Sequence, residues 1–248
     1  NENTYLKTSF ESYEDLNKNK NEKYEFIYPN IEYRREINLD SNYNGTLSFD
    51  LNGYQKKYGT DSFDSVLVNN LEYESFDYVL RSGLKNKFNL LLKNVNSNGD
   101  NSTIHRDKTY NKLLGSFIFE SSYPLKKIGL NYDSFLKPIA SLRFSPTETK
   151  NMSNSDRRID VNNIFTHNRI ANNNALEGGQ SLTLGSEYKV TKKDDSEFLL
   201  LNLATVIRDE ENPDLPTNST IGQKTSDIVG NAKFVPNKNF NIDYNFSV

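Results

Sequence analysis

Polar and apolar residues alternate with a period of two along much of the chain, which places every second side chain on one face of an extended strand. At the C-terminal end Phe240, Ile242, Tyr244, Phe246 and Val248 alternate with Asn241, Asp243, Asn245 and Ser247. Leu47, Phe49 and Leu51 do so against Thr46, Ser48, Asp50 and Asn52, and Leu182, Leu184 and Tyr188 against Thr183, Glu187 and Lys189. β-forming residues with partial alternation predict further strands at Tyr5–Tyr13, Glu25–Ile37, Ser65–Leu80, Leu84–Val95, Lys112–Tyr123, Ser134–Ser145, Glu197–Arg208 and Asp227–Val235. Together they make about eleven or twelve strands in one antiparallel meander. Asn-rich turns at Asn17–Glu22, Val95–Asn101 and Pro236–Asn239 separate some of them.

Many of these segments run to about ten residues, longer than strands of globular sheets and suited to an up-and-down transmembrane β-barrel. The fold class is therefore all-β. The longest connection, Pro146 to about Gln180, exceeds what a compact domain carries as structureless loop, so it is expected to be functional or folded over something. Pro29 and Pro138 fall inside strand candidates, where a missing ladder donor implies a bulge, an edge or a strand start. No repeat of fixed period and no domain boundary shows, so residues 1–248 read as one unit. The last alternation reaches Val248 without a stop, as in a piece of a longer barrel.

Composition narrows the class further. A formal net charge of −3 over 248 residues argues against nucleic-acid binding. Only 35% of residues are hydrophobic, yet Tyr and Phe number 15 each, which is incompatible with a disordered chain. There is no cysteine, hence no disulfide and no thiolate chemistry. No apolar run suits a membrane-spanning helix, and Asn1–Phe10 lacks the pattern of a signal peptide. Barrel strands remain open, because half their residues are polar.

Candidate chemistry is sparse. His105 and His167, far apart in loop-like settings, read as solvated loop residues and offer no metal cluster or catalytic triad. Asp209, Glu210, Glu211 and Asp214 could supply hard oxygen ligands to calcium but lack regular ligand spacing. Gly178-Gly179 reads as a turn. No catalytic residue, metal site or cofactor is expected, although paired carboxylates of a glycan-acting enzyme meet in space rather than in sequence. Arg157 and Arg158, with Arg169 in the same long loop, are the candidate ligand-binding residues, since clustered guanidinium groups take phosphates bidentately. The competing reading is a salt-bridged loop anchor.

A series of strings then resembles one family. Leu136-Lys-Pro-Ile-Ala-Ser-Leu-Arg-Phe-Ser-Pro146, Asp156-Arg-Arg-Ile-Asp-Val-Asn-Asn-Ile-Phe165 and Asn168-Arg-Ile170 are followed by Glu177-Gly-Gly-Gln-Ser-Leu-Thr-Leu-Gly185. Val206-Ile-Arg-Asp209, Asn212-Pro-Asp-Leu-Pro216, Ser219-Thr-Ile-Gly-Gln223 and Tyr244-Asn-Phe-Ser247 complete the order. The succession is similar to the mid-barrel region of the LptD (OstA/Imp) family of LPS-assembly proteins, in its alphaproteobacterial branch. The resemblance implies a non-enzymatic protein of the cell outer membrane with a barrel of about 26 strands. Such a protein translocates lipopolysaccharide and inserts it into the outer leaflet. Its implied partners are lipopolysaccharide, outer-membrane lipid, an LptE-like lipoprotein plug and an LptA-like periplasmic bridge that docks through a jellyroll. Residues 1–248 would then be barrel wall, without the jellyroll and the terminal gate strands. The disulfides of some family members have no counterpart here. The long loop would be an extracellular or lumen-folded connection packed in place by Asn163, Phe165, Asn168 and Arg169. A general outer-membrane channel or receptor barrel, or a soluble all-β module, would share the alternation but not the ordered strings.

Overall fold

The computed structural model describes the chain except residues 1–2, 18–22, 38, 40–42, 60, 103–104, 106 and 171. Its strands are β1 (Thr4–Glu14), β2 (Tyr24–Ile37), β3 (Gly45–Tyr58), β4 (Phe63–Ser75), β5 (Tyr78–Val79), β6 (Lys85–Asp100), β7 (Tyr110–Ser122), β8 (Leu125–Ile128), β9 (Tyr132–Ser145), β10 (Gly179–Lys192), β11 (Glu197–Arg208), β12 (Val229–Asn237) and β13 (Phe240–Ser247). A single 3-10 turn, Thr220–Gly222, is the one helical element among the described residues. Hydrogen-bonded neighbours follow the order β1-β2-β3-β4-β6-β7-β9-β10-β11-β12-β13, while β5 pairs with β6 and β8 with β9. Every pairing with a stated register is antiparallel. The up-and-down meander expected from the alternation is the fold.

By contact density the chain divides into two units, residues 1–75 with 90–115, and residues 76–89 with 116–248. In the first, β3 and β4 pair from Gly45↔Ser75 to Lys57↔Phe63 without a shift. The β2–β3 register slips between Ile27 and Asn30, so Pro29 lies in the bulge its missing N–H calls for. In the second, β9 and β10 pair unbroken from Tyr132↔Lys192 to Ser145↔Gly179. Pro138 sits where the other neighbour of β9 changes from β7 to β8, and only its carbonyl is used there, accepting from Tyr123 N–H at 3.1 Å.

Burial runs opposite to that of a water-soluble sheet. Towards the loop-bearing end of β9, β10 and β11 the buried residues are Ser141, Arg143, Ser145, Ser181, Thr183, Ala204, Val206 and Arg208, with Val190 and Thr191 buried at the other end of β10. Their alternating neighbours Leu142, Phe144, Leu184, Leu203 and Ile207 are exposed, Leu142 at 55%. In the first unit β6 shows part of the pattern: Leu90 and Leu92 are exposed, and Lys93 is buried on the other face between Leu91 and Val95. Large apolar side chains in the open and small or charged ones covered are what a lipid-facing strand requires.

Some boundaries differ from the sequence expectation. Val95–Asn101, expected as a turn, is strand as far as Asp100, and Ser65–Leu80 is broken after Ser75. The Asn17–Glu22 turn lies, beyond Asn17, outside the described residues.

Candidate functional site

The long connections of the second unit, residues 146–178 and 209–228, leave the same end of the sheet, whereas its opposite end carries tight turns at 193–196 and 238–239. The two connections fold together over the covered face. Ile159, Ile164, Ile170 and Ala175 of the first, with Leu215 and Ile221 of the second, bury against Ala204, Val206 and Val229 of the strands. Small residues at those strand positions leave the room that the loop side chains fill. Main-chain bonds tie the loops to each other, Met152 N–H to Asp214 O at 2.7 Å and Thr217 N–H to Ser153 O at 3.1 Å. Asn212 Nδ2 adds a bond to Thr149 Oγ1 at 2.8 Å.

Glu177 is the electrostatic centre of this packing. Arg169 Nε donates to its Oε2 at 2.9 Å and Arg169 Nη2 to its Oε1 at 2.5 Å, the bidentate match of guanidinium to carboxylate. Arg208 Nη1 donates to the same Oε1. Arg143 Nη1 stands 3.9 Å from it, and Arg143 Nη2 donates to the carbonyls of His167 at 3.1 Å and Glu177 at 2.6 Å. All four side chains are at most 2% exposed. Burial pushes the Glu177 carboxyl up, but the Arg169, Arg143 and Arg208 guanidiniums outweigh it and hold the group at about 2. The carboxylate thus joins β9, β11 and the end of the long loop.

Gly178 and Gly179 complete the junction. Gly178 N–H donates to Thr149 Oγ1 at 2.9 Å and its carbonyl accepts from Arg208 Nη2 at 2.8 Å. Gly179 has φ +87°, which glycine alone adopts freely, so the chain turns here from loop into β10.

Of the residues singled out in the sequence, Arg157 and Arg158 are exposed on the loop surface, whereas Arg169 is buried on Glu177; the three do not form one cluster. Asn163 closes a local turn, its Nδ2 donating to Arg158 O at 3.0 Å and its Oδ1 accepting from Asp160 N–H at 3.0 Å. Asn168 Nδ2 donates to Asn172 O at 2.9 Å. Phe165 packs against the hydrophobic cluster and over Gly185, where an added Cβ would lie 2.7 Å from the ring. His105 lies in a loop, but His167 is not solvated: it is buried, its Nδ1 2.9 Å from Ser116 Oγ, because the folded loop carries it onto the sheet. Asp209, Glu210 and Glu211 are exposed, and among the described residues no three His, Asp or Glu side chains are placed to hold a metal ion.

Arg143, Glu177 and Arg208 were not picked out from the sequence. The signal was present for the two arginines in the parity of their strands, since Arg143 alternates in step with Ser141 and Ser145 and Arg208 in step with Ala204 and Val206, opposite the large residues Leu142, Phe144, Leu203 and Ile207. Phe117, Leu142, Phe144, Leu182 and Ile207 line a groove of about 450 Å³ together with residues of the adjoining stretches 143, 180–181 and 208–209.

The family model described as LptD, LPS transport system D, matches residues 1–247. No curated protein matches the chain.

Proposed function

Because the chain belongs to the LptD family, which acts in lipopolysaccharide transport at the outer membrane and forms β-barrels rather than enzymes, we propose that residues 1–248 are wall of such a barrel and serve to translocate lipopolysaccharide and insert it into the outer leaflet. The observation that carries this reading is the burial on β9–β11: exposed leucines, isoleucine and phenylalanine on one face suit contact with lipid, and the serines, threonine and arginines covered on the other suit a polar interior. The end bearing residues 146–178 and 209–228 then faces the cell exterior, since outer-membrane barrels carry long loops outside and short turns in the periplasm.

In this reading lipopolysaccharide arrives over an LptA-like periplasmic bridge and a jellyroll outside residues 1–248, and an LptE-like lipoprotein plugs the barrel. The strands of the lateral exit also lie elsewhere in the protein. The folded loop pair narrows the outer end, with Asn163, Phe165 and Asn168 holding its shape and Arg169 anchoring it. Arg157 and Arg158, whose exposure supports such a role, would meet anionic groups of the saccharide as it emerges.

The test is depletion of the gene in its host, with lipopolysaccharide exposed at the surface measured against that retained inside. Loss of surface lipopolysaccharide with internal accumulation is expected. Unchanged surface lipopolysaccharide would move the protein to a general channel or receptor barrel.

A further inference from the structure

Register brings two of the buried arginines into one row. Ser181 of β10 pairs with Arg143 of β9 on one side and with Arg208 of β11 on the other, so the side chains of Arg143, Ser181 and Arg208 share the covered face across three adjacent strands. At about 4.8 Å between strands, the two arginine backbones stand roughly 10 Å apart with a hydroxyl between them. Glu177, at the end of the long loop, lies on this row as its counter-ion.

Glu177 satisfies the row incompletely. Three guanidinium groups face one carboxylate, a surplus of two positive charges, and the charges facing Arg143 are Glu177, Arg169 and Arg208. Both Glu177 oxygens are taken, Oε1 by Arg169 and Arg208 and Oε2 by Arg169. Arg143 Nε and Nη1 and Arg208 Nε, all in side chains at least nine-tenths buried, find no hydrogen-bond partner among the described residues. Arginine does not shed its proton, so neither the surplus nor the unmet donors can be removed by titration. A carboxylate offers two oxygens and one charge. A phosphate monoester offers three and nearly two, which matches the row better.

We propose that Arg143, Ser181 and Arg208 form an oxyanion site for phosphate groups, occupied in this structure by the protein's own Glu177, so that phosphate binding and docking of residues 146–178 exclude one another. Arg169 travels with the loop and leaves the wall arginines free when the loop lifts. The inference rests on the geometry of β9–β11 and does not require that lipopolysaccharide be the transported lipid.

The experiment is hydrogen–deuterium exchange of residues 146–178 in the full-length protein in detergent at constant ionic strength. The probes are inorganic pyrophosphate and, separately, dodecyl phosphate, each against chloride. Exchange in the loop should rise with probe concentration while the β9–β11 amides stay protected. E177Q, which removes the internal competitor, should bind the effective probe up to about a hundredfold more tightly, because binding waits on the undocked loop and its population rises by that factor. Response to pyrophosphate points to free phosphate, and response to dodecyl phosphate alone to a lipid headgroup. Should E177Q fail to fold, Arg169→Leu loosens the loop, removes its 2.8 Å bond to the Ser181 hydroxyl and leaves Arg143 and Arg208 in place, and it should also bind the probe more tightly than the unaltered protein. The double variant R143Q/R208Q should lose the response. Loop exchange indifferent to both probes, or probe binding that neither E177Q nor Arg169→Leu strengthens, would overturn the proposal. Gene depletion reports on lipopolysaccharide alone, so the two readings fail separately.

Discussion

Glu177→Gln keeps the shape of the side chain and removes the carboxylate that three buried guanidiniums share. Breaking a buried ion pair from one side costs about 3–5 kcal/mol, because the partners remain desolvated. The displaced titration provides a second figure. The carboxyl is held at about 2 instead of its ordinary 4.5, and at about 1.4 kcal/mol per pH unit the linkage is about 3 kcal/mol. Since the folded form binds its proton more weakly than the unfolded one, this stabilisation is complete above pH 4.5 and drains away as pH falls towards about 2. Hydrogen exchange of residues 146–178 in the full-length protein reads the local opening. At neutral pH and without added phosphate, E177Q should raise its frequency about a hundredfold, and the gap between the two proteins should close in acid. A change below about threefold at neutral pH, or a gap undiminished near pH 2, would refute the reasoning.

Leu184 is 40% exposed near the middle of β10, so Leu184→Arg should cost up to about 2–4 kcal/mol of folding in lipid vesicles; an unchanged folded fraction by heat-modifiable mobility would contradict a lipid-facing position. Gly185→Ala would set a Cβ 2.7 Å from Phe165 Cζ and 2.8 Å from the Leu203 carbonyl, and should destabilise the loop pair by about 1–3 kcal/mol in the same exchange measurement. Lys193→Ala removes an exposed pair with Asp133 and should change stability by less than about 1 kcal/mol in denaturant titration, a contrast with Glu177. Alanine at Arg157 and Arg158 together should reduce surface lipopolysaccharide with assembly intact, and full surface levels would end any role for the pair.

Alternation made most strands legible because it records which face each side chain takes, and Glu197–Arg208 was located at its observed bounds. It failed where neighbours, rather than the strand's own residues, supply the stabilisation. β3 continues past Asn52 through Tyr54, Gln55, Lys56 and Lys57, where alternation is lost but β4 remains hydrogen-bonded alongside. The Asn-rich end of β6 is strand rather than turn for a related reason: Asn94 Nδ2 donates to Asn111 Oδ1 of β7 at 3.2 Å, and Asn111 Nδ2 to Asn96 Oδ1 at 2.6 Å, so the side chains that favour turns are satisfied across the ladder. The loop site was harder still. Parity marks Arg143 and Arg208 as covered charges, and a covered charge demands a partner, but the partner lies 34 residues from one and 31 from the other. Only the β9–β10 and β10–β11 registers place the two arginines on either side of Ser181, and only the loop path brings Glu177 to that row. Sequence can therefore say that two strands each bury a guanidinium; that the two act on one anion is a property of the sheet.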